Sequence, residues 1–122
     1  MQGKLLIFRP YQSSPAISEF TCEPEIAEVR ALVGGDLATV PGFLSIEHDG
    51  VVRRCVALHD ADGKRKGLPL NRTATVLWDS ALRRDMGIGL IRHDGSRADQ
   101  LVGTVAVLFG YLAESEPDGI AR

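Results

Sequence analysis

The sequence predicts a single α+β domain, built from a mostly antiparallel sheet of about five to six strands with two helices. Three observations support this. The chain has 122 residues, enough for one core but not for two. Short apolar segments alternate with glycine, proline and Asp-Gly turn signals, a pattern typical of antiparallel strands. Two other segments place apolar residues at helical spacing and end at glycines. We expect residues 1–110 to form the domain and 111–122 to be a C-terminal tail.

The predicted strands are short and bounded by turns. They cover Lys4–Phe8, Ala16–Thr21, Leu37–Val40, Phe43–His48, Val51–Leu58, Ile88–Arg92 and Leu101–Phe109. Asp49-Gly50 is a strong hairpin signal, because both positions tolerate a positive φ. The register of that hairpin stays open, since a two-residue turn and a bulged turn place different residues opposite each other.

A first helix is predicted between Pro24 and the Gly34-Gly35 pair. Proline suits the first helical position, and a glycine readily adopts the left-handed conformation that ends a helix. The spacing places four apolar side chains on one face, which we expect to be buried: Ile26, Val29, Leu32 and Val33.

A second helix is predicted from Asn71, a potential cap, to a stop at Gly87. Its apolar residues at helical spacing are Ala74, Leu77, Trp78, Ala81 and Leu82. The β-branched residues Thr73, Thr75 and Val76 make its first turn a weak helix former, but the apolar spacing favours a helix.

The composition is that of a globular protein without a dedicated nucleic-acid coat. Charged residues make up 25% of the chain, and the net charge is -2. Cys22 and Cys55 stand too far apart for a Cys-x-x-Cys site, and we expect both to be buried free thiols in a reducing cytoplasm. The apolar segments are too short for a signal peptide or a membrane span. We therefore expect a soluble, cytoplasmic protein.

The most distinctive polar segment is the basic stretch, which we define as Lys64-Arg65-Lys66. It precedes Asn71 and Arg72 at the start of the second helix, where free N–H groups can bind an anion. The sequence thus predicts a binding site for an acidic partner or an anion made of Lys64, Arg65, Lys66, Asn71 and Arg72. The alternative is structural: the cations protect a solvated edge, and Asn71 only caps the helix. No aromatic residue is interleaved with these cations, which weakens a single-stranded nucleic-acid hypothesis.

The remaining polar residues do not form a catalytic motif. His48-Asp49 and His93-Asp94 would supply metal ligands or an acid–base pair only if the two turns met in space. The serines lack a nucleophile-elbow context, and neither cysteine has a neighbouring histidine in sequence. We therefore predict no catalytic residue, no metal site and no cofactor.

Three blocks of sequence occur in a characteristic order: Leu32–Gly35 with the strand after it, Gly63–Thr75 with its Lys-Gly-Leu-Pro-Leu-Asn-Arg core, and Leu101–Val107. Together they resemble the family defined as domain of unknown function 3846, over residues 4–110. Its members are small proteins of phages, plasmids and their bacterial hosts. The resemblance implies a small α+β domain from a mobile element, without an established active site. Ala38 departs from the pattern, which has an acidic residue there.

These observations lead to two functional hypotheses. The first is a non-enzymatic binding protein of phage or mobile-element type. It would inhibit a host defence system, of the anti-CRISPR or antirestriction kind, by occupying a host protein or nucleic-acid-binding surface. Its partner would be a host or phage protein, with nucleic acid less favoured. The alternative is a protein that binds a nucleotide or another phosphate ligand, as a sponge or an enzyme. A structural or assembly module is a third reading.

Overall fold

The computed structural model describes residues 3–22, 24–90 and 94–110. The elements are β1 (Gly3–Phe8), β2 (Ala16–Phe20), α1 (Ile26–Val33), β3 (Leu37–Thr39), β4 (Ser45–His48), β5 (Val51–Asp60), α2 (Arg72–Met86) and β6 (Val105–Phe109). The predicted class is confirmed: the described chain has two helices and an antiparallel sheet of six strands.

The sheet has the strand order β2-β1-β6-β5-β3, and β4 pairs with β5 outside this path. The last strand in sequence, β6, therefore lies in the middle of the sheet between β1 and β5. All five of its residues are buried, as expected for a continuous apolar run at the centre of a sheet. The long strand β5 pairs with β4 through its first half and with β6 and β3 through its second.

Alternate residues of the sheet belong to two separate hydrophobic cores, because successive side chains of a strand point to opposite faces. On one face, Leu6 and Phe8 of β1 pack with Trp78 and Leu82 of α2. On the other face, the smaller core includes Val29 and Val33 of α1. The helices thus cover opposite faces of one sheet.

Helix α1 ends as predicted but buries less than predicted. Gly34 is its cap in the left-handed region, with φ of 92°. Only Val29 and Val33 are buried, whereas Ile26 is 72% exposed and Leu32 is 39% exposed. The prediction that all four apolar residues are buried is therefore wrong. An eight-residue helix makes only about two turns, and here it presents a single i, i+4 pair to the sheet.

Helix α2 confirms the helical interpretation of the segment after Asn71. The Asn71 side chain caps it, and Gly87 ends it with φ of 73°. The weak first turn is stabilised by tertiary contacts, since Ala74, Thr75 and Trp78 are all buried.

The β4–β5 hairpin resolves the register that the sequence left open. His48 lies opposite Val51, so Asp49 and Gly50 form a two-residue turn without a bulge. Their φ angles are 53° and 78°, and positive values at both positions are typical of a type I′ turn.

Two predicted strands differ from the structure. Residues 88–90 do not form a strand: the Leu90 amide donates to the carboxylate of Asp79 at 2.6 Å, which holds this segment against α2. The rest of that prediction, at 91–92, lies outside the described residues. The last strand begins at Val105 rather than Leu101. Gly103, with φ of 74°, interrupts the extended chain, and Val102 forms only an isolated bridge with Leu70.

The two cysteines have different environments. Cys55 is buried as predicted, but Cys22 is exposed just after β2, and both are free. The expectation that both thiols are buried is therefore wrong for Cys22. Among the described residues, no helix combines the length and hydropathy that crossing a membrane requires. The predicted tail, 111–122, lies outside the described residues.

Candidate functional site

Each cation of the basic stretch is paired with a nearby aspartate. Lys64 pairs with Asp99, Arg65 with Asp62 at 3.2 Å, and Lys66 with Asp60 at 2.6 Å. The first two pairs are exposed and contribute little to stability, because water and salt screen them. The stretch is therefore locally neutralised rather than a free cationic patch.

Asp60, at the end of β5, is the buried centre of this charged region. Only 2% of its surface is exposed, and its Oδ1 accepts the Asp62 amide at 2.8 Å. The hydrogen bond from the Lys66 ammonium is the main reason that the pKa of Asp60 lies below its ordinary value. The carboxylate also lies directly over Gly35, where a Cβ would overlap it. The second glycine of the Gly34-Gly35 pair thus makes room for a buried carboxylate.

Asn71 is a structural residue of the core. It is 0% exposed, and its Nδ2 donates to the main-chain oxygens of Phe8 and Gly103, both at 2.9 Å. Its Oδ1 accepts the Ala74 amide at 3.1 Å, so the predicted helix cap is confirmed. With both donor hydrogens engaged and no exposed surface, Asn71 does not reach a ligand. Asn71, one of the predicted binding residues, instead joins α2 to β1 and to the 101–104 segment.

Thr75 extends this buried network by one helical turn. Its Oγ1 donates to the carbonyl of Asn71 at 2.7 Å and accepts the Leu101 amide at 2.9 Å. The Asn71 amide in turn donates to the Leu101 carbonyl at 2.8 Å. The Leu-Pro-Leu-Asn segment thus serves to attach the start of α2 to the 101–104 segment.

Arg72 is the one predicted binding residue that is both exposed and, within the described residues, without an ion-pair partner. It lines a surface cavity of about 440 Å³ together with Tyr11, Gln12, Ser13 and Thr73. The Thr73 hydroxyl donates to the Gln12 carbonyl at 3.1 Å, which joins the β1–β2 loop to the start of α2.

Tyr11 is the residue that sequence reasoning missed. Its surface is 91% exposed, and its backbone adopts a left-handed φ of 69°, which is rare for a bulky residue. Arg9 lies on the same loop and borders the adjoining shallow depression. We call Arg9, Tyr11, Gln12, Ser13, Arg72 and Thr73 the loop–helix surface. Tyr11 and Arg72 thus line one cavity, although they are 61 positions apart in the sequence.

The two histidines that the structure describes lie in separate environments. His48 Nε2 is 3.5 Å from the Asp49 carboxylate, and its ring packs on Phe109 with 5.3 Å between centroids. His59 lies at the far end of β5, and His93 lies outside the described residues. Across the described ranges, no three His, Cys, Asp or Glu side chains converge as metal ligands would.

The buried hydroxyl and thiol groups are not arranged as nucleophiles. Ser45 Oγ donates to the carboxylate of Asp85 at 2.6 Å and accepts Arg84 Nε at 3.0 Å, and neither described histidine, His48 or His59, hydrogen-bonds to this group. Burial raises the pKa of the Cys55 thiol to about 12, so it stays protonated and unreactive at neutral pH.

Comparisons with known proteins gave no match to a family model, a curated protein or a solved structure. The resemblance to domain of unknown function 3846 therefore stays a prediction.

Proposed function

We propose that this protein is a non-enzymatic binding protein of phage or mobile-element type, which inhibits a host defence system by occupying a host protein through the loop–helix surface. The observation that carries the proposal is the exposed Tyr11, which lines the same cavity as Arg72, a cation without an ion-pair partner in the part of the chain that the structure describes. Tyrosine and arginine are the residue types that most often dominate binding energy at protein interfaces.

The composition of the surface agrees with this role. Tyr11, Gln12 and Ser13 offer a rigid aromatic ring, an amide and a hydroxyl, the mixture that antibody loops use for protein recognition. The loop is held against α2 by the Thr73–Gln12 hydrogen bond, so less conformational freedom is lost on binding.

The basic stretch has a smaller part in this proposal than its sequence indicates. Its cations are already paired, so a partner that used them would first have to separate them from Asp60, Asp62 and Asp99. Exposed pairs at a rim mainly affect association rate and salt dependence.

Capture of partners from a bacterial host lysate tests the proposal when matched surface variants are compared. The double variant Tyr11→Ala/Arg72→Ala removes an exposed apolar residue and one charge from the loop–helix surface. Ile26→Ala/Arg30→Ala also removes one exposed apolar residue and one charge, here a charge paired with Asp36, from α1, which packs on the opposite face of the sheet from α2. We expect the wild type and the α1 variant to retain the same partner and the first variant to lose it. Equal retention by all three proteins would refute the assignment of this surface.

A second measurement concerns the proposed role in defence. Expression in a host that carries a CRISPR or restriction system should raise the plating efficiency of a targeted phage, and Tyr11→Ala/Arg72→Ala should abolish the increase. If the increase in plating efficiency persisted in this variant, inhibition of host defence would not depend on the loop–helix surface.

One observation favours the alternative, a nucleotide or phosphate ligand. Arg72 stands at the first turn of a fifteen-residue helix, beside the hydroxyl groups of Ser13 and Thr73. A thermal-shift screen with nucleotides and inorganic phosphate tests it, since a ligand at a hundred times its Kd stabilises by about 2.7 kcal/mol. A shift that is lost in Arg72→Ala would support the alternative, and no shift with any compound would refute it.

A further inference from the structure

A small cavity of about 150 Å³ lies beside the end of β5 and shares no lining residue with the loop–helix surface. His59 of β5 and Trp78 of α2 line it, together with Pro41, Lys64, Asp99 and Gln100. Ligand sites for drug-sized molecules measure roughly 300–1,000 Å³. The size of this cavity therefore suits a single ring or a molecule of similar volume.

The imidazole of His59 is available to a ligand. The side chain is partly buried, and within the described residues its ring nitrogens make no hydrogen bond. Burial is the largest cause that lowers the pKa of His59, and the Lys64 ammonium acts in the same direction against the carboxylates of Asp60 and Asp99. A neutral imidazole offers one N–H donor and one lone-pair acceptor.

The charges around the cavity are balanced before any ligand binds. Lys64 pairs with Asp99 at its edge, and the Asp60 carboxylate is engaged by Lys66. A charged ligand would leave its own charge uncompensated or would have to break one of these pairs. The site therefore favours an uncharged ligand.

The remaining walls are apolar or offer a neutral amide. The indole N–H of Trp78 already donates to the Pro41 carbonyl at 2.8 Å, so the rest of this side chain presents only hydrocarbon. Gln100, which is exposed at the rim, supplies one more donor and acceptor. A planar ring with hydrogen-bonding groups on one edge matches this combination.

We propose that this cavity is a binding site for a small uncharged planar heterocycle of pyrimidine-base size, which His59 and Gln100 recognise by hydrogen bonds beside the apolar wall formed by Trp78 and Pro41. The site is independent of the loop–helix surface, so either proposal can fail alone.

Titration of the ¹⁵N-labelled full chain with uracil and with cytosine, followed by NMR, tests the proposal. We expect saturable shifts of the Trp78 indole N–H and of amides at 59–61 and 99–102, with a Kd in the range of about 0.1–10 mM. His59→Ala should weaken binding at least about tenfold, while Arg72→Ala, on the loop–helix surface, should bind as the wild type does.

The wild-type experiment alone can overturn the proposal, whether or not His59→Ala folds. No saturable shift with either base, or shifts centred elsewhere on the chain, would contradict it. Uridine 5′-monophosphate distinguishes the two ligand hypotheses. It should bind this cavity no more tightly than uracil, and tighter binding with shifts centred on amides 59–61 and 99–102 would refute a site selective for uncharged ligands. Binding that shifts amides of the loop–helix surface instead and is lost in Arg72→Ala would support the phosphate hypothesis for that surface alone.

Discussion

The Lys66 ammonium lies 2.6 Å from Oδ2 of Asp60, a carboxylate with 2% of its surface exposed. This pair turns one end of the basic stretch inward, toward the end of β5. Lys66, the last cation of the basic stretch, is thus paired with a buried carboxylate of its own domain. Removing one partner of such a pair leaves the other without its counter-charge.

The Asp60–Lys66 pair predicts how stability depends on pH. Because the folded-state pKa of Asp60 is lowered, its carboxylate stabilises the fold above its unfolded pKa and loses that contribution as the pH falls through the folded value. Asp60→Asn should therefore be less stable than the wild type at pH 7, and the difference should shrink toward acid pH. Urea denaturation across this range measures the difference. A constant difference at every pH would contradict the role of the charge.

Gly34 and Gly35 should respond differently to alanine. Gly35→Ala places a Cβ against the Asp60 carboxylate and should cost about 2–3 kcal/mol of unfolding free energy. At Gly34 the space is open, and the cost comes only from its positive φ, so Gly34→Ala should lose about 1 kcal/mol. Urea denaturation of both variants gives the order directly. If Gly34→Ala lost more unfolding free energy than Gly35→Ala, the helix-cap conformation would be the main reason for the Gly34-Gly35 pair, and contact with Asp60 would not be.

Asn71 should be among the most sensitive positions in the chain. Asn71→Ala removes the helix cap and leaves the buried carbonyls of Phe8 and Gly103 without this donor. The expected loss of unfolding free energy is about 3–5 kcal/mol. Arg72→Ala, one residue further on, should change it by less than about 0.5 kcal/mol. If the two variants had similar stability, Asn71 would not be the structural residue described above.

The two thiols should react at very different rates. Cys22 is exposed, whereas Cys55 is buried and the pKa of its thiol is raised to about 12. Under native conditions Ellman's reagent should modify one thiol per chain quickly, and the second only after unfolding. Cys22→Ser removes the fast phase and serves as the control. Rapid modification of both thiols in the native protein would contradict the burial of Cys55.

Local signals in the sequence predicted local structure well. The Asp49-Gly50 turn and the cap at Gly87 each depend on backbone conformations that short segments encode by themselves. The predicted strand at Leu101–Phe109 is likewise confirmed from Val105 onward, although its central place in the sheet was not evident.

The candidate site was less predictable because tertiary contacts decide it. Asn71 donates to a carbonyl 63 positions away, and Lys64 pairs with an aspartate 35 positions away. Both residues were predicted as binding residues, because partners that belong to other elements cannot be recognised from the local sequence. Tyr11 was missed for the same reason, since only the packed β1–β2 loop brings it beside Arg72.

The central claim is that the loop–helix surface, and not the basic stretch, binds the partner. The most direct test is the Kd of the captured partner for two double variants, Tyr11→Ala/Arg72→Ala and Lys64→Ala/Arg65→Ala. We predict that the Tyr11/Arg72 variant raises Kd at least about 30-fold, which corresponds to about 2 kcal/mol of lost binding free energy. The Lys64/Arg65 variant should change Kd less than about threefold. A larger effect of the Lys64/Arg65 variant, or no effect of the Tyr11/Arg72 variant, would contradict the claim.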